Sequence, residues 1–363
     1  MTSHGSPRRF AYNHPVVLSY LVEAPGRARL VDIARPEPGP GEVLVRVEAV
    51  GICGSDLEMT GGGRDPAFCR LPVVLGHEWS GQVEAVGERV DAALVGQRVA
   101  VEGHNYCGAC GPCTAGATQR CERYDEFGFT RNGGYAPYVA ARADLCHVMP
   151  RVPADVAALT EPTACSLHAV ERVDVTADDT VVILGAGPIG LLAAALSAWR
   201  GARRVVVCDV RETARLFAVG MGATDVVITA GDKLPRALTE LLPHGADVVI
   251  EAAGQAATQH LAIHAVRRGG RVALMGLAGA RTTPMNLDAL VLRDARVEAT
   301  FAYPSAVFGR AAALLDAGEV DPRRILTHHL PLSQVDAAFD LLRTRTSAVV
   351  KVVLDPQEQE TRS

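Results

Sequence analysis

The chain predicts an α/β protein in two parts: a mostly β first half and, after about residue 160, a doubly wound parallel sheet. Three observations carry this. At 363 residues the chain exceeds what one ordinary core supports and suits two domains. In the first half, short apolar runs alternate or are opened by glycine, the pattern of strands joined by tight turns. In the second half, short and almost unbroken apolar runs alternate with helical segments, which is how strands buried on both faces of a parallel sheet read.

Taken in order, residues 1–15 are rich in turn formers, lack any hydrophobic period and predict a flexible tail. Val43, Val45 and Val47 then face one side while Leu44, Arg46 and Glu48 face the other, a period of two. Further strands are expected at 81–87 and 96–101, each opened by glycine. Val181-Val182-Ile183-Leu184 predicts a buried strand, followed by a glycine turn and a helix from Ile189 to Arg200. A strand at 204–209, a helix at 213–221 and strands at 225–228, 246–251 and 271–275 continue the alternation. Past Tyr303 the periodicity predicts helices at 306–317 and 332–343, separated by a turn at Asp321-Pro322, and a last strand at 348–354.

Composition narrows the function. Apolar residues make up 48% and charged residues 21%, and the formal charge of -5 is spread without long runs, so nothing points to a nucleic-acid partner. No unpunctuated apolar stretch of about eighteen residues and no signal-peptide core is present, which predicts a cytoplasmic protein without a membrane partner. Nine cysteines in such a chain argue for thiolate ligands in a reducing compartment rather than for disulfides.

Four of the nine, Cys107, Cys110, Cys113 and Cys121, fall within fifteen residues as C-x2-C-x2-C-x7-C. Gly108, Gly111, Pro112 and Gly116 let the backbone turn between them, so four thiolates can converge on one tetrahedral ion. The spacing predicts a closed structural zinc site; disulfides and an iron–sulfur cluster are the alternatives that also use closely spaced cysteine. Upstream, Cys53, then His77 and Glu78, supply the mixed donors of an open zinc site. Downstream, Gly185-Ala186-Gly187-Pro188-Ile189-Gly190 is a dinucleotide fingerprint. In it Gly185 makes the turn, Gly187 admits a pyrophosphate, Gly190 lets helix and sheet pack, and Pro188 and Ile189 open the phosphate-facing helix. Asp209 follows Gly185 by 24 residues, where a carboxylate accepts from ribose hydroxyls and repels a 2′-phosphate. That favours NAD over NADP, with Arg211, two residues on, as a possible phosphate contact.

In this order, these motifs resemble the zinc-containing medium-chain dehydrogenases/reductases, over about Val17 to Leu354. The nearest likeness is to the polyol and secondary-alcohol branch, which includes sorbitol, threonine and butanediol dehydrogenases. Cyclitol dehydrogenases share the look of Gly76-His77-Glu78-Trp79-Ser80-Gly81 and Gly128-Phe129-Thr130-Arg131-Asn132-Gly133. The resemblance implies a GroES-like zinc domain from 16–160 and 304–363, a Rossmann domain from 161–303, two zinc ions per chain, and a homodimer or homotetramer. It implies Cys53 and His77 as catalytic-zinc ligands, with Glu161 or Glu78 as the third, and Ser55 as the hydroxyl that takes the substrate proton. It also implies that Ala252-Ala253-Gly254 and Gly276-Leu277 pass near the nicotinamide.

The expected chemistry follows. An alcohol is about as weak an acid as water, and a zinc Lewis acid lowers that barrier. The expected function is therefore NAD-linked oxidation of a secondary alcohol in a polyol, diol or aminocyclitol; ketone or aldehyde reduction on the same fold, and a zinc-free redox sensor, are the alternatives. Two departures bear on substrate. The family's usual relay histidine is Glu58 here, whose carboxylate could instead bind an amine or hydroxyl. Ala302 stands where some polyol enzymes carry arginine, which disfavours sorbitol itself. Asp56 is expected to brace the loop, and Cys69, Cys146, Cys165 and Cys208 to be buried apolar residues.

Overall fold

A computed structural model describes residues 15–63, 66–229, 231–279, 282–344 and 348–358. Most of the predicted tail lies outside the described residues. The first half builds a seven-stranded sheet around Glu42–Gly51, which pairs antiparallel with both Glu78–Val86 and Tyr138–Arg142. Val43, Val45 and Val47 are fully buried as their alternation predicts, and Leu44 on the other face is buried too, because both faces of this strand are covered.

The second half forms a six-stranded, wholly parallel sheet. Its central strand, Thr180–Leu184, lies between Arg204–Asp209 and Ala246–Glu251, and every residue of it is buried. The carboxyl ends of these strands and the chain reversal beside them make the crevice in which open α/β sheets bind ligands. The chain then returns: Lys351–Asp355 pairs antiparallel with Glu42–Gly51, Leu354 against Val50, and parallel with Leu326–Pro331. The mostly β GroES-like half and the parallel Rossmann half are both present.

The differences from the sequence expectation have local causes. The strand expected at 271–275 begins at Val266 and runs to Leu274; its Arg267-Arg268-Gly269-Gly270 stretch hid it from an apolar count. Arg296–Ala299 and Leu326–Pro331 are strands that no apolar run signals, since both lie at sheet edges and keep half-exposed polar residues. The helix expected at 332–343 opens as a single turn, Leu332–Gln334, before Val335–Thr344, and the last strand starts at Lys351 rather than at 348.

Candidate active site

Four cysteine sulfurs lie within 4.8 Å of one another at Cys107, Cys110, Cys113 and Cys121. The Sγ atoms of Cys107 and Cys113 are 4.0 Å apart, and those of Cys110 and Cys121 are 3.9 Å apart. A tetrahedron with bonds of about 2.3 Å has edges of roughly 3.8 Å, so the cage fits zinc. All nine cysteines are free thiols, which removes the disulfide alternative. Backbone N–H groups of Cys107 and Arg123 donate to Cys121 Sγ, and that of Cys110 to Cys107 Sγ, at 3.2–3.3 Å. Such donors favour thiolate: N–H groups from Ala109 and Cys110 pull Cys107 below the ordinary thiol range, while burial pushes Cys113 up.

The second cluster is Cys53, His77 and Glu78, whose ligand atoms also lie within 4.8 Å of one another. Cys53 caps the Gly54–Gly61 helix, with its backbone N–H donating to Asp56 Oδ2 at 2.8 Å. Asp56 is fully buried, also accepts from the Tyr135 hydroxyl at 3.0 Å, and holds Oδ1 3.7 Å from His77 Nδ1. The expected brace thus also sets a carboxylate beside the histidine, beyond hydrogen-bond distance, and neither Asp56 Oδ1 nor His77 Nδ1 has a hydrogen-bond partner among the described residues. Burial disfavours charge on His77, but its Cys53 and Asp56 neighbours hold its pKa well above the ordinary value.

Glu78 meets a residue that sequence reasoning missed. Lys351 is buried in the last strand, forms an ion pair with Glu78 and donates to Ile52 O at 2.9 Å. Gly51 makes room for the pair, since a Cβ there would lie 2.2 Å from Glu78 Oε2 and 2.9 Å from Lys351 Cε. Breaking such a buried pair from one side typically costs about 3–5 kcal/mol.

Glu161 does not belong to the close cluster. It lies in the first turn of Thr160–Arg172, where burial pushes its carboxyl up to about 7 and the field of His77 opposes that rise. The Cys165 thiol donates to its Oε1 at 3.4 Å, so Cys165 is a partner of this site rather than plain apolar filling. Ser55 and Glu58, three apart on the Gly54–Gly61 helix, share one face and are both half-buried. Beyond Gly103, whose Cβ direction meets Glu161 and His77, stands buried His104. Desolvation lowers its pKa to about 4, and its Nε2 has no hydrogen-bond partner; the amide of Asn105 is likewise unpaired.

The glycine turn carries the geometry its spacing predicts. Gly185 has φ +104, and a Cβ there would collide with Ala253; a Cβ on Gly190 would sit 1.9 Å from Gly185 O. Gly187 faces open space at the start of the Pro188–Trp199 helix. These residues border a cleft of about 800 Å³ that also touches Ile52, Gly54 and Leu57 of the first half, and Ala252 and Ala253. Glu251 braces this last loop, accepting from Ala253 N, Gly254 N and Thr258 Oγ1 at 2.7–3.0 Å. Gly254, at φ +64, packs against Leu277. Asp209 ends its strand beside the cleft, but Arg211 pairs with it at 2.9 Å.

Cys146-His147 and His328-His329 join no group of metal donors among the described residues; His147 instead pairs with buried Glu102 at 3.1 Å. No described helix is long and apolar enough to cross a membrane.

Two family descriptions match this chain: an alcohol dehydrogenase GroES-like domain over residues 39–151 and a zinc-binding dehydrogenase over residues 188–317. The L-threonine 3-dehydrogenase of Anaeromyxobacter dehalogenans (strain 2CP-C) is 33% identical over 328 residues, 89% of this chain and 94% of that protein. The sorbitol dehydrogenase of Bacillus subtilis (strain 168) is 33% identical over 325 residues, 88% of this chain and 92% of that one. A solved structure from E. coli CFT073, described as a short chain alcohol dehydrogenase complexed with NADH, is 27% identical with a TM-score of 0.87, covering 94% of this chain and 99% of that one.

Proposed function

The chain belongs to the zinc-containing medium-chain dehydrogenases/reductases, and from that premise we propose that it oxidises a secondary alcohol of a polyol, diol or aminocyclitol to the ketone, with NAD(P) as acceptor. The convergence of Cys53, His77 and Glu78 behind the wall of the dinucleotide cleft carries this reading. Cys53 and His77 would hold the catalytic zinc, with Glu78 or Glu161 completing the set, and the four-cysteine cage would hold a structural one. A zinc ion at the first site supplies Lewis acidity, easing loss of the substrate's hydroxyl proton.

The chain's own groups have separate tasks. Asp56 supplies a buried negative charge beside His77 and favours its charged form. Lys351 balances the charge of Glu78 in a buried setting. Ser55 takes the hydroxyl proton, and Glu58, one turn along the same face, binds a neighbouring hydroxyl or amine. A carboxylate on that face favours a substrate that carries a second polar group beside the reacting hydroxyl. Relatives named for threonine and sorbitol, both alcohols with several polar groups, agree with that class.

The test is dinucleotide reduction, followed by absorbance, across sugar alcohols, short diols, threonine and aminocyclitols, with and without a chelator. At least one chelator-sensitive substrate is expected. A panel without turnover in protein that still binds dinucleotide would overturn the oxidative assignment and favour the reductive direction.

A cytoplasmic homodimer or homotetramer completes the proposal. Arg296–Ala299 is the edge strand of the six-stranded sheet, and the adjacent Leu287–Arg293 helix leaves Leu287, Val291 and Leu292 65–78% exposed. An open edge beside exposed apolar side chains favours association. Size-exclusion chromatography is expected to give a species at least twice 38.3 kDa, and Val291→Glu to shift it toward monomer. A wild-type monomer would exclude the assembly.

A further inference from the structure

We infer that Arg211 selects the dinucleotide by occupying and neutralising Asp209, so that the chain accepts the 2′-phosphorylated form as well as the unphosphorylated one. The inference rests on the dehydrogenase reading above and deepens it.

The sequence alone assigns Asp209 two effects: attraction for ribose hydroxyls and repulsion of a 2′-phosphate. The structure alters both. Asp209 Oδ1 accepts from Arg211 N and Arg211 Nε, each at 2.9 Å. Oδ2 accepts from Ala186 N at 2.8 Å and Arg211 Nη2 at 3.1 Å. A carboxylate has about four acceptor sites, and here all four are taken. A ribose hydroxyl arriving as donor must therefore displace Arg211 to reach Asp209.

Repulsion weakens by the same pairing, because the guanidinium cancels the carboxylate's charge at contact distance. Of the charged side chains lining the cleft, Asp209 stands against Arg211, and the remaining cation, Arg343, is paired with Asp340 at 3.3 Å, so no uncompensated negative charge lines the wall among the described residues. Arg211 is also placed to change partners. Its side chain is 25% exposed at the rim, and its remaining anchor is Ala186 O on the glycine turn, at 3.1 Å. A guanidinium fork suits a phosphate as well as a carboxylate. A 2′-phosphate can draw Arg211 outward, leaving Asp209 its two backbone donors, while an unphosphorylated ribose trades places with the same fork. Arg215, the next cation on this segment, is committed to Glu212 and Val226 O and lies outside the cleft lining.

The experiment measures direct binding of NADH and NADPH by titration calorimetry to the full chain, with 2′,5′-ADP as a probe of the phosphate subsite, so that no substrate is needed. The wild type is expected to bind the two within about tenfold of each other. Arg211→Met is expected to weaken NADPH and 2′,5′-ADP at least about tenfold while NADH binds as well or better, and Arg211→Lys to restore part of the NADPH affinity. Thermal melts of both variants identify any that fail to fold, and the wild-type ratio stands without them. Wild-type affinity for NADPH more than about 100-fold below that for NADH, or equal loss of both dinucleotides in Arg211→Met, would overturn the inference. Failure of the wild type to bind either one would sink the dehydrogenase reading itself.

Discussion

Replacing Cys53 by alanine is expected to abolish turnover and to leave dinucleotide binding nearly intact. The variant removes one thiolate donor, with its side-chain contacts to His77 and to the Asp56 backbone. The hydrogen bond from the Cys53 backbone to the Asp56 side chain survives the change and keeps that half of the helix cap. Asp56 keeps Tyr135 as well, and His77 keeps its neighbouring carboxylate. Lewis-acid stabilisation of this kind is worth several kcal/mol, so kcat/KM should fall by roughly three orders of magnitude or more. Zinc content should drop from two ions per chain to one, and NADH affinity should stay within about twofold. Retained turnover would remove Cys53 from the metal site; simultaneous loss of NADH binding would argue that the two sites are not separate.

The second large effect is expected at the cysteine cage. Cys113 and Cys121 are the buried pair of the four, and the segment that holds them has little apolar core of its own. Its order depends on convergence of the sulfurs. Structural zinc contributes about 10–16 kcal/mol in small zinc-folded peptides, and even a fraction of that is large against a domain's net stability. Cys113→Ser should therefore lower the melting temperature by well over about 10 °C and expose the 104–126 segment to proteolysis, with one zinc ion lost. Chelation should act in two stages: activity fades first, as the open site gives up its ion, and the melting temperature falls later. A melting temperature unmoved in Cys113→Ser, with the ion lost, would show that the cage does not support the fold.

These two experiments probe the parts of the site most legible in the sequence, for a common reason. Four cysteines within fifteen residues and three glycines within six declare their geometry through spacing, because short loops leave few ways to arrange them. Cys53, His77 and Glu78 are spread over 26 residues, yet they were recognisable because each stands in a turn-rich context that resembles one family. The parallel sheet was legible for another local reason: strands covered on both faces must be apolar throughout. Edge strands escape that rule, which is why Leu326–Pro331, with two histidines and a proline, gave no signal.

What stayed hidden was set by contacts between distant parts of the chain. Lys351 reads as one charge in an apolar strand, and only the folded sheet brings it to Glu78. Glu102 reads as a strand-end acid, yet it is fully buried and joins His147 to Ser305, at 3.1 and 2.7 Å. Asp209 and Arg211 fail for the opposite reason. They are adjacent enough to be noticed together, but sequence offers no way to tell a guanidinium waiting for a phosphate from one already spent on a carboxylate.

Lys351 also orders events in time. Its ammonium reaches Ile52 across 299 residues of chain. A ribosome that has delivered Cys53, His77 and Glu78 has still to make nearly all of the cofactor half before the charge opposite Glu78 exists. Until that final strand slots beside Glu42–Gly51, the Glu78 carboxylate, next to Cys53 and His77, lacks its counter-charge. A protein cut short before Lys351 would carry the cluster of Cys53, His77 and Glu78 with its charge out of balance.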